Sequence, residues 1–249
     1  MTRIRAKNHS PESVMFEDLL QIRTPLVNFY VLRDSKGLYL IDCGFVNGIK
    51  YLRRGLVERG WDNDPIIGIL VSHGHLDHIL NVQSLANETG AWIAAPRLDC
   101  SHYEGLPTYQ GISKFTGFLE AIGRPLLGFQ KFTPSRFLDH GDELDIWHGL
   151  TVVHLPGHTL GHTGFYCENL KLLFCADLFA SFKKFSHYPP TIFNNNDQEI
   201  STSITKALQY DVVGVLPNHC DRAAPKTHLA RLVQLKTNNT KATVMTDLS

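Results

Sequence analysis

Four side chains able to bind a metal ion stand within six residues of this chain, in His73-Gly74-His75-Leu76-Asp77-His78, and that density constrains the fold more than any other feature. The apolar run Pro65 to Val71 directly precedes it and reads as a short buried strand, so the histidines leave a strand's C-terminal end. His73 and His75, two residues apart, point the same way in extended backbone, whereas Asp77 and His78 fall where a helix begins and face a neighbouring position. Neither group is complete. A closed zinc site takes about four ligands and a catalytic one about three plus water, so further ligands must come from downstream.

Three segments supply them. His158 follows the apolar run Leu150 to Leu155, Asp177 follows Leu172 to Cys175, and His219 follows Val212 to Leu216. Each candidate lies just past a predicted strand, and strand ends on one edge of a sheet are where open α/β architectures gather their sites. Histidine, at 13 residues, is abundant enough to build such a cluster, and neutral imidazole is the commonest ligand for metals of intermediate softness.

The remaining pattern predicts a layered α/β chain. Asn28–Arg33 and Gly37–Asp42 form a hairpin, a helix spans 47–59, and a second runs from Leu76 to about Thr89 before a strand at 91–95. Between 96 and 136 the periodicity loosens and Tyr103, Tyr109, Phe115, Phe118, Phe129 and Phe132 accumulate, predicting a partly helical, lid-like insertion at about 97–137. Strands resume at 143–147, 150–155, 164–167 and 172–175, and a loop rich in Phe, Pro and Asn leads to a helix over 197–209. The reading is one domain over 1–236 and a polar, mobile tail over 237–249.

Lys plus Arg and Asp plus Glu both total 24, so no excess charge draws the chain to nucleic acid or to a membrane surface. The five cysteines form no CxxC pair, no apolar run reaches 18 residues, and the Met1-Thr-Arg-Ile-Arg5 opening lacks an apolar leader. A cytoplasmic protein with reduced thiols is expected, with a small-molecule substrate and no nucleic-acid or membrane partner. A homodimer stays open. His154, His162, Cys43 and Cys220 read as structural neighbours of the motifs rather than as ligands.

The spaced pattern HxHxDH, then PGHTxGH at 156–162, then Asp177 and His219, resembles the metallo-β-lactamase superfamily over roughly Asn28 to His219. The resemblance implies an α+β chain folded as an αβ/βα four-layer sandwich. It implies that His73, His75 and His158 bind a first metal, that Asp77, His78 and His219 bind a second, and that Asp177 bridges them. Asp42 in Ile41-Asp42-Cys43-Gly44 would orient a ligand. Two departures stand out: the family's small-residue pair after the first motif is Ile79-Leu80-Asn81 here, and its closing Gly-His is Asn218-His219.

Two zinc ions, with iron or manganese as alternatives, would supply a bridging hydroxide at neutral pH, and Asp77 would act catalytically by steering its proton. Esters, thioesters and lactones fit this chemistry, as in the glyoxalase II-like and lactonase-like branches. A β-lactam fits less well, because Asp177 at the bridging position is typical of those other branches. Glyoxalase II-like thioesterases usually add a helical glutathione-binding domain, for which the 30 residues after His219 leave no counterpart. RNA cleavage would favour basic surfaces that the balanced charge does not offer. The alternative from a different class is an iron-dependent dioxygenase acting on persulfides, and a catalytically silent binding protein is disfavoured by the intact ligand set.

Overall fold

The computed structural model describes residues 16–107, 109 and 111–246, with side chains as far as 238. Its first half forms a six-stranded sheet in the order β1 (Leu19–Ile22), β2 (Phe29–Arg33), β3 (Leu38–Ile41), β4 (Ile66–Leu70), β5 (Trp92–Pro96) and β6 (Arg136–Leu138). The second half forms a five-stranded sheet in the order β13 (Gly214–Pro217), β10 (Leu172–Ala176), β9 (Thr163–Cys167), β8 (Leu150–His154) and β7 (Glu143–Leu144). A small ribbon pairs β11 (Ala180–Ser181) with β12 (Ser186–His187).

Alternation along the strands explains the layers. Tyr30, Leu32, Tyr39 and Ile41 face inward and meet Val152, Phe165, Leu172 and Phe174 of the second sheet in one buried cluster. The intervening Phe29, Val31, Leu38 and Leu40 face outward and are covered by Leu52 and Leu56 of α1 (Gly48–Arg59) and by Val82 and Leu85 of α3 (Val82–Thr89). On the far side Val153, Leu173, Cys175 and Val215 pack against Ile200 and Ile204 of α6 (Asp197–Ala207) and Leu232 of α7 (Pro225–Thr246). Strands buried on both faces read as continuous apolar runs, and each fully buried Leu, Ile or Phe contributes about 1.5–3 kcal/mol of transfer free energy. The result is helix, sheet, sheet, helix: the expected four-layer sandwich.

Strand direction brings the candidate ligands to one edge. β3 and β4 are parallel, so Asp42 and the 73–78 loop emerge side by side. β8 and β10 are both antiparallel to β9, hence parallel to each other, and β13 is parallel to β10. The segments carrying His158, Asp177 and His219 therefore leave the second sheet at the same end.

Three details depart from expectation. The helix anticipated over 76–89 divides into α2 (Leu76–Ile79) and α3, because Asn81 between them turns its Nδ2 toward the carbonyls of Cys43, Gly44 and Phe45 at 3.0, 3.1 and 2.7 Å. Strands β1, β6, β11 and β12 and helix α7 were not anticipated. α7 runs to Thr246, into the 237–249 segment expected as a mobile tail, of which residues 247–249 lie outside the described residues. The insertion is partly helical, with α4 (Cys100–Tyr103) and α5 (Lys114–Leu126). Among the described residues no helix is long and apolar enough to cross a membrane.

Candidate metal centre

All seven candidate ligands meet at the common edge of the two sheets. The ligating atoms of His73, His75 and His158 lie within 4.8 Å of one another, as do those of Asp77, His78, Asp177 and His219. Asp177 Oδ2 stands between the groups, 3.4 Å from His158 Nε2, 3.3 Å from His78 Nε2 and 3.0 Å from His219 Nε2. Asp77 lies on the open side, its Oδ2 3.6 Å from the Nε2 atoms of both His78 and His219.

Four imidazoles share one arrangement. His73 Nδ1 donates to Ser72 Oγ at 3.0 Å, His78 Nδ1 to Asp42 Oδ2 at 2.9 Å, His158 Nδ1 to Asn194 Oδ1 at 2.8 Å and His219 Nδ1 to the Leu26 carbonyl at 3.0 Å. A hydrogen bond that fixes the proton on Nδ1 leaves the Nε2 lone pair free for a metal and holds the ring in place. The Nε2 atoms of His73, His75, His78 and His158 and Oδ1 of Asp177 are buried without a hydrogen-bond partner among the described residues. Such orphaned polar atoms cost about 1–3 kcal/mol each unless something fills the space between them. Imidazole nitrogens with carboxylate oxygens are the donor set that zinc, iron and manganese accept. The residues fit a metal centre.

His162 shows the contrast. Its Nδ1 donates to the Leu155 carbonyl at 2.8 Å and its Nε2 accepts the Asp177 backbone N–H at 3.1 Å, so neither nitrogen is left for a metal. Burial and the neighbouring His158 push its pKa down to about 3. His154 likewise turns outward, its Nε2 donating to the Leu160 carbonyl at 2.8 Å.

Electrostatics divides the cluster. Burial and the adjacent imidazoles push His73 and His75 well below the usual histidine range, keeping them neutral. Burial would lower His78 too, but the Asp177 and Asp77 carboxylates outweigh it and hold the ring well above that range. The same competition leaves His219 at about 9, while His219 and His78 pull Asp177 well below the carboxylate range against the effect of burial. The second group thus already holds positive charge around Asp177, the role a cation would take over.

Of the supporting residues, the resemblance pointed to Asp42 but not to Asp99, Asn194 or the contact made by Asn218. Asp42, in the left-handed region at φ 65°, accepts from Ser72 N at 2.8 Å, Ser72 Oγ at 2.7 Å, His78 Nδ1 and Asn218 Nδ2 at 2.7 Å. Asn218, the residue that departs from the family's glycine, thereby clamps the carboxylate that orients His78. Asp99, fully buried, accepts from Gly74 N at 2.8 Å, Thr159 Oγ1 at 2.6 Å and Gly161 N at 2.7 Å, tying the two histidine loops together. The fit is close enough that a Cβ on Gly161 would come within 2.8 Å of the Asp99 carboxyl group, and one on Gly74 within 2.4 Å of His102. The Asn194-Asn195-Asn196 run was the one visible hint of the third supporter, Asn194.

A cavity of about 440 Å³ opens from the cluster. The insertion contributes Glu120 to its wall, but the insertion's aromatic residues do not line it: Tyr103 and Phe132 stack in the core with centroids 4.8 Å apart, and Phe115 and Phe118 face solvent. Its aromatic wall comes from Phe45 and from Phe179, Phe182 and Phe193 of the loop before α6.

A profile described as the metallo-beta-lactamase superfamily matches residues 23–219. The chain belongs to this superfamily. Among its relatives, a hydroxyacylglutathione hydrolase of Rhizobium meliloti (strain 1021) is 31% identical over 127 residues, covering 50% of this chain and 38% of that protein. A hydroxyacylglutathione hydrolase of Haemophilus influenzae is 30% identical over 113 residues, covering 44% and 48%. The aligned part thus spans less than half the length of either relative. Solved superfamily structures share the fold: a metallo-beta-lactamase family protein from Thermus thermophilus superposes with a TM-score of 0.69 at 19% identity, covering 91% of this chain and 81% of that one. A subclass B3 metallo-beta-lactamase of Bradyrhizobium japonicum gives 0.64 at 20%, covering 93% of this chain and 94% of that one.

Proposed function

We propose that this superfamily member is a hydrolase that holds two zinc ions and cleaves a carboxylic ester, thioester or lactone. The observation that carries the reading is the cluster of imidazoles gathered around Asp177, among which His73, His78 and His158 are tied at Nδ1 and keep a buried Nε2 without a hydrogen-bond partner. His73, His75 and His158 would hold one ion and Asp77, His78 and His219 the other, with Asp177 contributing to both. When bound, the ions supply Lewis acidity, which brings the pKa of water toward neutrality and polarises a carbonyl.

The chain's own residues supply the rest. Ser72, Asp42 and Asn194 hold the imidazole rings in the orientation a ligand needs. Asp77, partly open to the cavity, is placed to take a proton from attacking water and return it to the leaving oxygen or sulfur. Phe179 and Phe182 narrow the approach and exclude bulk water, which strengthens electrostatic interactions inside. In the net reaction the hydroxyl of water joins the acyl carbon, the carbon–oxygen or carbon–sulfur bond breaks, and the proton leaves with the departing group. The named activity of the two relatives, on an acyl thioester of glutathione, supports this reaction class.

The test combines elemental analysis with a hydrolysis screen of an ester, a thioester and a lactone, on the wild type and on His75→Ala. The expected result is close to two zinc per chain with turnover of at least one substrate, and loss of metal and turnover together in the variant. Iron in place of zinc, with oxygen uptake on a persulfide and no hydrolysis, would overturn the reading in favour of the dioxygenase.

A further inference from the structure

Within the hydrolase reading, on which this inference rests, the cavity wall restricts the acyl group. Beyond the ligand cluster it is formed chiefly by Leu26, Phe45, Phe179, Phe182, Pro190 and Phe193. No lysine or arginine is among the described residues that line it, and its one histidine outside the ligand cluster, His187, holds Nδ1 against the Tyr188 carbonyl at 2.7 Å. Its one carboxylate outside the cluster, Glu120, is already engaged: Oε2 pairs with Arg124 at 2.6 Å and Oε1 accepts the Leu76 N–H at 3.1 Å. Arg124 itself is buried, with only 4% of its side chain exposed, so its charge is spent on Glu120 and on the His102 carbonyl at 2.9 Å rather than offered to the cavity.

A glutathione thioester carries two carboxylates and an ammonium group. All of these charges sit on the leaving thiol, and if that part entered the cavity its carboxylates would lose water without meeting a lysine or arginine in the wall beyond the ligand cluster, a costly exchange for a charged group. An alkyl or aryl chain, in contrast, replaces water against aromatic and aliphatic surface and gains with every methylene it buries. The acyl portion is also the part that esters, thioesters and lactones have in common.

We propose that the cavity selects substrates with an uncharged, apolar acyl chain, with Phe45, Phe182 and Phe193 as specificity-determining residues, and disfavours the peptide thioester for which the two relatives are named. The reaction is the same hydrolysis, with no redox change and water as the only co-reactant.

The experiment measures kcat/KM of the metal-loaded protein on straight-chain acyl esters of one phenol, from two to ten carbons, beside S-lactoylglutathione. The expected result is a rise of about fourfold per methylene until the cavity is full, with S-lactoylglutathione slower than the esters of six carbons or more. Phe182→Ser should lower the ratio of eight-carbon to four-carbon turnover by tenfold or more, and a ratio is unaffected by a partly misfolded sample. A readout without turnover is protection in thermal melts, where octanoate should raise Tm more than acetate or reduced glutathione at equal concentration. A flat chain-length series, or preference for S-lactoylglutathione, would overturn this inference while leaving the hydrolase reading intact. Absence of hydrolysis on every substrate would sink the hydrolase reading and this inference with it.

Discussion

Asn218 occupies a position where the superfamily pattern has glycine, and its side chain reaches the Asp42 oxygen that also takes the His78 proton. Replacing it by the family's own residue, Asn218→Gly, removes one of four donors from a buried carboxylate and loosens the ring that Asp42 holds. Supporting residues of this kind typically change metal affinity by about 10–100-fold, so chelator competition should show the His78-containing group releasing metal about tenfold more readily. Equal retention in both proteins would show that Ser72 alone holds Asp42. At this scale the sequence revealed the candidate ligands and, through the family resemblance, Asp42, but hid the other supporters, for a physical reason. A ligand must be His, Asp or Glu and must cluster, whereas Asp99 acts through the backbone N–H groups of Gly74 and Gly161, and any residue type but proline presents those.

Elements were legible where both faces of a strand are buried and the apolar run is unbroken, as in Phe29–Leu32, Leu38–Ile41 and Leu172–Cys175. They were hidden where length or composition blurs the pattern. β6 has three residues beginning with an exposed arginine, and β1 mixes Gln21 with its leucines. The break between α2 and α3 was hidden as well, because it depends on carbonyls 36 to 38 residues earlier in the chain. α6 carries a prediction of its own. Asn196 Oδ1 caps it by accepting from Gln198 N at 3.0 Å and Glu199 N at 3.4 Å, while the Asn196 N–H reaches back to the Gly157 carbonyl at 2.8 Å. Asn196→Ala should therefore cost about 1 kcal/mol in urea unfolding. Unchanged stability would mean that the backbone bond to Gly157 suffices to start the helix.

At the scale of the whole molecule, a buried neutral histidine contributes to the loss of stability in acid. Burial pushes His228, whose Nδ1 lies 2.7 Å from Ser181 Oγ between α7 and β11, down to about 4. In the unfolded chain a histidine takes up its proton near pH ~6.5. The folded form refuses that proton until the pH approaches 4, so this contribution is complete above about 6.5 and is lost as the pH falls toward the folded value. Tm should decline between about pH 7 and about pH 4.5, and His228→Gln, which cannot titrate, should decline less steeply. Identical slopes would assign the acid sensitivity to other groups.

Both ligand groups draw on both sheets: His73 and His75 from the first half join His158 from the second, and Asp77 and His78 join Asp177 and His219. The centre therefore works as a buckle. Neither half of the chain can close it alone, and a slip of one sheet against the other by a single residue pair would part His75 from His158. Metal stoichiometry in a preparation thus counts the molecules whose halves have met in register, which makes it a folding assay as well as a chemical one.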